Sequence, residues 1–490
     1  MDRRDFCKSS LVAAVAGLFA RNTIKQSASG ATLQKSSSTA PVTAYISEFI
    51  VNTRYEDIPE DVIALGKKSI LDGFGLALAG SASGVGKLAR QYLAMQGLCA
   101  DKASVIGTKI KAAPRFAALA NGTSIHADDY DDTATIPGDA VHATAPVLPP
   151  AFAFGEAGGR TGKDLMLAYH VGVEVECKIA EAISPRHYSD GFHATGTMGT
   201  FGSAAACAKL LGLNLSQTEY SLGIAAAEAG GLRANFGTMT KPFQAGHAAE
   251  NGTIAAELAS VGWTASPNIL EASKGYFQAA GGGFEAGRIM NRLGKPWTFV
   301  SPGILIKRFP CGTIQQPIMD SMLRLIQQYK ISASDVAKVD VGGSQLEFDN
   351  LHHHRPTTGL EGKFSMEFCL SVLLVSGKAG LSEFTDSVVN RPEIQEMIRR
   401  VNFYVDPQIE ESASRTLKIE MKDGKVYSDR TGFAKGSSRN PMTFEEVADK
   451  FRSCTQFAAW PSAKADSIIN FVRSLESTTD VNLLSKELTG

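Results

Sequence analysis

The sequence predicts a mainly α protein in which a large all-helical domain is interrupted by a smaller α+β domain and then resumes at the C-terminus. Three observations carry this: apolar residues at helical spacing as far as Pro302, alternating β-branched residues beyond it, and a helix-start signal at Thr443.

Taken in order, helical periodicity is expected over 44–52, 60–79, 85–95 and 113–126, and again over 147–158, 162–183, 197–211, 216–229 and 245–261. Alanine and glycine recur at these spacings, and small residues let helices approach closely. Beyond Pro302, strands are expected over 336–341, 401–405 and 416–421. The last is followed by Asp423-Gly424, a hairpin signal because both turn positions tolerate positive φ. Helices over 314–328, 363–376 and 392–400 interleave with the strands. Residues 41–303 therefore read as the helical domain, 304–440 as the α+β domain, and 441–490 as a return to the helical body, its first helix carrying Glu445 and Glu446 near the positive end of the dipole.

With 44% hydrophobic and 20% charged positions, the chain has the composition of a globular protein that can bury a large core. Its 49 basic and 50 acidic side chains nearly cancel, so no global field gathers nucleic acid or an anionic membrane, and partners must be argued from a site. The cysteines are scattered without a C-x-x-C pair, which offers no contiguous ligand set for zinc or an iron–sulfur cluster; no metal or other cofactor is expected. At the start, Arg3-Arg4-Asp5-Phe6 precedes an apolar run over 11–20 and small residues around 28–31. This is the pattern of a twin-arginine export signal over 1–31, its apolar part too short for a stable membrane anchor, and it predicts a periplasmic mature chain.

Chemistry-bearing residues recur in blocks. His126-Ala-Asp128-Asp129-Tyr130-Asp131-Asp132-Thr133 sets four carboxylates beside a histidine; on a continuous helix His126, Asp129 and Thr133 would share a face, and crowded carboxylates raise one another's pKa. A solvated acidic turn or a helix cap is the plain alternative. Asp128-Asp129-x-x-Asp132 also matches the magnesium-diphosphate motif of isoprenoid synthases, but no convincing second magnesium motif accompanies it. His142-Ala-Thr-Ala-Pro146, Gly191-Phe-His193-Ala-Thr-Gly-Thr197 and the stretch from Arg233 through Lys241 to His247 each place an imidazole or a cation beside glycine and hydroxyl residues. Glycine admits a ligand to the backbone, and Arg or Lys complements a polyanion. The adjacent His352, His353 and His354 point in different directions and make a poor metal site.

These blocks, with Asp72-Gly-Phe-Gly-Leu-Ala-Leu-Ala-Gly80 before them and Lys307-Arg-Phe-Pro-Cys311 and Gly359-Leu-Glu-Gly-Lys-Phe-Ser365 after, make the chain resemble the MmgE/PrpD family. Its members include 2-methylcitrate dehydratase, cis-aconitate decarboxylase and iminodisuccinate epimerase. The resemblance implies a helical domain built from both chain ends, a smaller α+β lid, an active site between them, and usually a homodimer. It implies Asp129, Thr133, His142, His193 and Lys241 as catalytic residues. Arg233, His247, Lys307, Arg308, Arg355 and Lys363 are the expected binders of a small di- or tricarboxylate. Lys241, His193 and Arg308 would hold substrate carboxylates, His142 would move the proton, and Asp129 would orient an imidazole. Gly312 stands where the decarboxylase branch has a histidine, and Gln244 where relatives often have another. The expectation is therefore a hydro-lyase resembling 2-methylcitrate dehydratase, with an epimerase or racemase of a substituted succinate next and a carboxylate-binding protein that has lost turnover as the reading outside enzymes.

Overall fold

The computed structural model describes residues 41–97, 102–409 and 414–490; the stretch read as an export signal lies outside the described residues. The fold is mainly α. Gly162–Ile183 and Pro392–Arg400 form at the expected bounds. Elsewhere local chemistry shifts the ends by a few residues, as in Thr144–Ala157, Ala194–Leu211 and Thr240–Ser260, which start earlier than apolar spacing indicated. Pro114 opens the Pro114–His126 helix at the position where a missing N–H costs nothing. Thr443 caps Phe444–Phe457, its hydroxyl accepting from the Glu446 N–H while the Glu446 carboxylate accepts from the Thr443 N–H at 2.8 Å. Among the described residues no helix is long and apolar enough to cross a membrane.

Two apolar cores form. One takes Ile46, Phe74, Phe152 and Phe201 together with Phe451, Ile468 and Leu484, so helices from both chain ends share it. The other gathers Phe309, Met322, Val339, Phe368, Ile398 and Leu417 around a four-stranded sheet. In that sheet Val336–Gly343 lies between Val401–Val405, which is parallel to it, and Thr416–Met421, which is antiparallel. The parallel pair needs a crossover, and the helices Met366–Ser376 and Pro392–Arg400 supply it. Thr416–Met421 and Val426–Arg430 make the expected hairpin, but its turn differs: only Gly424 takes positive φ (84°), while Asp423 accepts from the Lys425 N–H at 3.0 Å.

Close approach between two glycines aligns the elements that carry the site. Gly122 in Pro114–His126 lies against Gly246 in Thr240–Ser260, a Cβ at Gly122 being 3.0 Å from the Gly246 Cα. Their contact brings the end of one helix, at His126, toward the start of the other, at Lys241. A Cβ at Gly246 would stand 2.1 Å from Thr123 Oγ1 and 2.4 Å from the Leu119 carbonyl oxygen. Gly246→Ala gains about 0.5–1 kcal/mol of helix propensity, yet overpacking against backbone costs about 1–3 kcal/mol or more. The clash therefore wins, and urea unfolding should show a lower midpoint with an unchanged slope.

Candidate active site

The acidic block is not a continuous helix. Pro114–His126 ends there, Ala127 donating to the Ser124 carbonyl, and Asp129 takes φ of +50°, a conformation that costs a non-glycine residue energy. That turn sends Thr133 into a two-residue strand paired with Leu305. The shared helical face expected for His126, Asp129 and Thr133 is thus replaced by a loop, because the neighbours of Asp129 hold it in the left-handed region. Lys241 Nζ donates to Asp129 Oδ1 at 2.6 Å, and Lys307 Nζ donates to the same oxygen at 3.1 Å and to the Asp129 carbonyl at 2.9 Å.

The four carboxylates diverge. Asp128 pairs with Lys363 at 2.8 Å, joining the acidic loop to the α+β region. Asp132 turns into the helical core, accepting from the Thr144 hydroxyl at 2.7 Å, and burial pushes its pKa up to about 6. Asp129 and Asp131 turn toward the histidines. Asp131 is fully buried, its oxygens 2.9 and 3.0 Å from His126 Nδ1 and one of them 3.1 Å from His142 Nδ1, the latter contact bent away from hydrogen-bond alignment. His142 Nε2 lies 3.7 Å from Asp129 Oδ1. The rings of His126 and His142 meet edge to face at 4.4 Å, and those of His126 and His193 stack at 5.8 Å.

His193 is held differently. Its Nδ1 is 2.6 Å from Gln244 Oε1, while Gln244 Nε2 donates to the Leu232 carbonyl at 3.2 Å. With the amide oxygen as acceptor, His193 carries its proton on Nδ1 and leaves Nε2 as a buried lone pair without a protein partner. Gln244 is therefore the partner that fixes the His193 tautomer.

The electrostatics follow from burial against pairing. Burial drives the Asp129 carboxyl up, but Lys241, Lys307 and the histidines outweigh it and leave it well below the ordinary carboxylate range. Asp131 likewise falls below that range, burial being outweighed by His126 and His142. Burial lowers His142 and takes His126 down to about 3, each partly offset by Asp131. His193 is lowered by burial and by Lys241; Lys241 is lowered by burial and supported by Asp129. Burial thus biases the three imidazoles toward the neutral form, with Lys241 and Lys307 set against Asp129 and Asp131.

Asp129, His142, His193, Lys241 and Lys307 all line one small cavity, with Thr313 and Phe364 across it. Thr133 sits behind that wall, its hydroxyl 3.2 Å from the Thr313 hydroxyl. The other expected binders lie elsewhere. Arg308 turns outward to Asp320 at 2.9 Å, His247 stacks on Phe243, and exposed Arg355 donates to the His354 carbonyl. Arg233 lies behind Tyr188, and Lys363 is engaged by Asp128. His354 bonds Glu367 at 2.8 Å, while His353 lies against Gly237. Gln316 clips the backbone around Phe309, accepting from the Arg308 and Phe309 N–H groups at 3.0 and 3.1 Å. Residue-type reasoning passed over Asp131 as one carboxylate in a cluster, because no residue type announces the turn at Asp129 that aims it.

His126, Asp129, Asp131 and His142 bring potential ligand atoms within 4.8 Å of one another, a donor set that suits a transition metal. The cationic side of Asp129 is already filled by Lys241 and Lys307, and the Nδ1 atoms of both histidines face Asp131. A divalent ion there would meet two adjacent ammonium groups. The arrangement is compensated by lysines and suits proton transfer beside a bound anion.

The buried lysine–histidine–aspartate cluster is reached from both a helical core and an α+β core. Residues 44–288 match the MmgE/PrpD N-terminal domain and 309–477 the MmgE/PrpD C-terminal domain, and the chain belongs to the MmgE/PrpD family. It is 28% identical to the cis-aconitate decarboxylase of Homo sapiens over 449 residues, covering 88% of this chain and 91% of the relative. It is 30% identical to that of Aspergillus terreus over 480 residues, covering 90% and 95%. A cis-aconitate decarboxylase-like protein of Aspergillus oryzae is 27% identical over 483 residues, covering 92% and 97%.

Proposed function

We propose that the protein is a lyase acting on a small di- or tricarboxylate, and that its reaction is loss of water by a hydro-lyase mechanism resembling that of 2-methylcitrate dehydratase. The observation that carries this is the pair of unlike histidines flanking two lysines: His142 faces a carboxylate, which strengthens it as a base, and His193 faces a neutral amide. An ammonium has three donors, so Lys241 and Lys307 can keep Asp129 and still hold a substrate carboxylate. Their charge stabilises the enediolate formed when His142 takes the α-proton. His193, protonated on binding, gives a proton to the departing hydroxyl; water leaves and a carbon–carbon double bond forms.

Decarboxylation is the second reading, favoured by the names of the relatives, against which stands Gly312 on the cavity wall. Export and pairing of two chains remain proposals, the first on Arg3-Arg4 and its apolar run, the second on family resemblance. Proton NMR in D₂O with citrate, 2-methylcitrate, cis-aconitate and hydroxy- or aminosuccinates, with and without EDTA, tests the reaction. New alkene products insensitive to EDTA are expected, read as an olefinic proton from the unsubstituted acids and as an allylic methyl singlet replacing the methyl doublet of 2-methylcitrate; release of CO₂ would select decarboxylation, and an inert panel with no binding by calorimetry would sink the lyase reading.

A further inference from the structure

Beside the charged cavity lies a larger one. The two share walls at Ala140, Tyr188, Thr313, Ile314 and Asn350, and the outer encloses about 460 Å³ against about 70 Å³ for the inner. The inner meets Lys241, Lys307, His142 and His193 beside Phe236 and Phe364; the outer meets Leu305, Pro317, Leu346 and Phe433 beside Asp139, Glu347 and Arg415. Charged groups on the outer wall already have partners. Arg415 and Glu347 form a buried ion pair, and Asp139 accepts from the Ser184 hydroxyl at 2.6 Å. The partition between the chambers is braced, since Arg233 stacks 3.9 Å over Tyr188 and donates to its carbonyl at 2.8 Å and to Asn350 Oδ1 at 2.5 Å.

We propose that the outer cavity is a second subsite for an uncharged alkyl substituent, so that the preferred substrates are di- or tricarboxylates bearing a hydrocarbon chain on the carbon whose carboxylates the inner lysines hold. This rests on the carboxylate reading above. With Arg415 paired to Glu347, the outer chamber offers, among the described residues, no further cation for another carboxylate, while its apolar wall gains from each methylene it covers. Each added methylene is expected to raise kcat/KM about three- to fourfold until the chamber is filled.

The test is kcat/KM, with calorimetric binding alongside, for citrates and succinates carrying hydrogen, methyl, propyl or pentyl substituents. Leu346 lines only the outer chamber and Phe433 is 58% exposed on its rim. Leu346→Trp and Phe433→Asp should each flatten the chain-length series while sparing the unsubstituted acid, and the rim variant keeps the test alive if the tryptophan one misfolds. A flat series in the unaltered protein that still turns over the short acid, or a rise that survives both variants, overturns the subsite and leaves the lyase reading intact. Failure of every acid, short or extended, to bind or react sinks both.

Discussion

Alanine in place of Lys241 is expected to lower kcat/KM by about 10²–10³-fold, the scale set when one preorganised donor to developing negative charge is lost. Lys241 is 5% exposed, donates to Asp129 at 2.6 Å, and lies 5.2 and 5.5 Å from the rings of Phe236 and Phe364, so no water of bulk character replaces its ammonium. Its removal also leaves Asp129 with one cation instead of two. Breaking a buried pair costs about 3–5 kcal/mol when the remaining charge is stranded; here Lys307 stays at 3.1 Å, so the stability loss should fall at or below the lower end of that range. The two effects separate in Lys241→Met, which keeps side-chain bulk beside the rings of Phe236 and Phe364 and leaves Asp129 its ion pair with Lys307. It should recover most of the urea midpoint lost in the alanine variant and leave turnover abolished. Activity that returns together with stability would place Lys241 in the architecture and not in the chemistry.

The sequence made the body of the site legible because the family blocks and the helical periods coincide. His193 and Lys241 stand at or beside the first residue of a helix, His142 two residues before one and Asp129 three beyond the end of another, so each lies near an element end that the apolar spacing approximates. Direction was less legible. Lys307 and Arg308 are neighbours of the same charge, but successive side chains in extended backbone face opposite ways, and one reaches Asp129 while the other reaches Asp320. Asp129 and Asp131 turn toward the histidines while Asp128 and Asp132 do not; the turn at Asp129 sets this difference, which a count of acidic residues misses. The hidden cause is Asp129 at positive φ: no residue type announces it, since the strain is sustained by two lysines distant in sequence. The short pairing of Thr133 with Leu305 escaped for a related reason, being two residues long and imposed by tertiary contact.

Asp131→Asn should be the second severe change, with kcat down about 10²–10⁴-fold and KM altered far less, because the residue orients a base without touching the substrate. Asp131 has no exposed surface, and its two oxygens serve His126 and His142 at once. An asparagine keeps the shape but presents an N–H to one of the imidazoles, so at least one ring must turn or take the wrong tautomer. The pH profile distinguishes this from simple damage. In the unaltered protein burial lowers the His142 pKa and Asp131 partly raises it again, so His142 is already a free base at neutral pH and the acid limb of kcat/KM should lie below the ordinary histidine value of about 6.5. Losing the carboxylate removes the raising influence, and the acid limb should move to still lower pH even as the plateau falls. A variant that loses activity with its acid limb unmoved has lost packing. One that loses activity with the limb displaced downward identifies Asp131 as the residue that sets the basicity of His142, and with it the assignment of His142 as the proton acceptor.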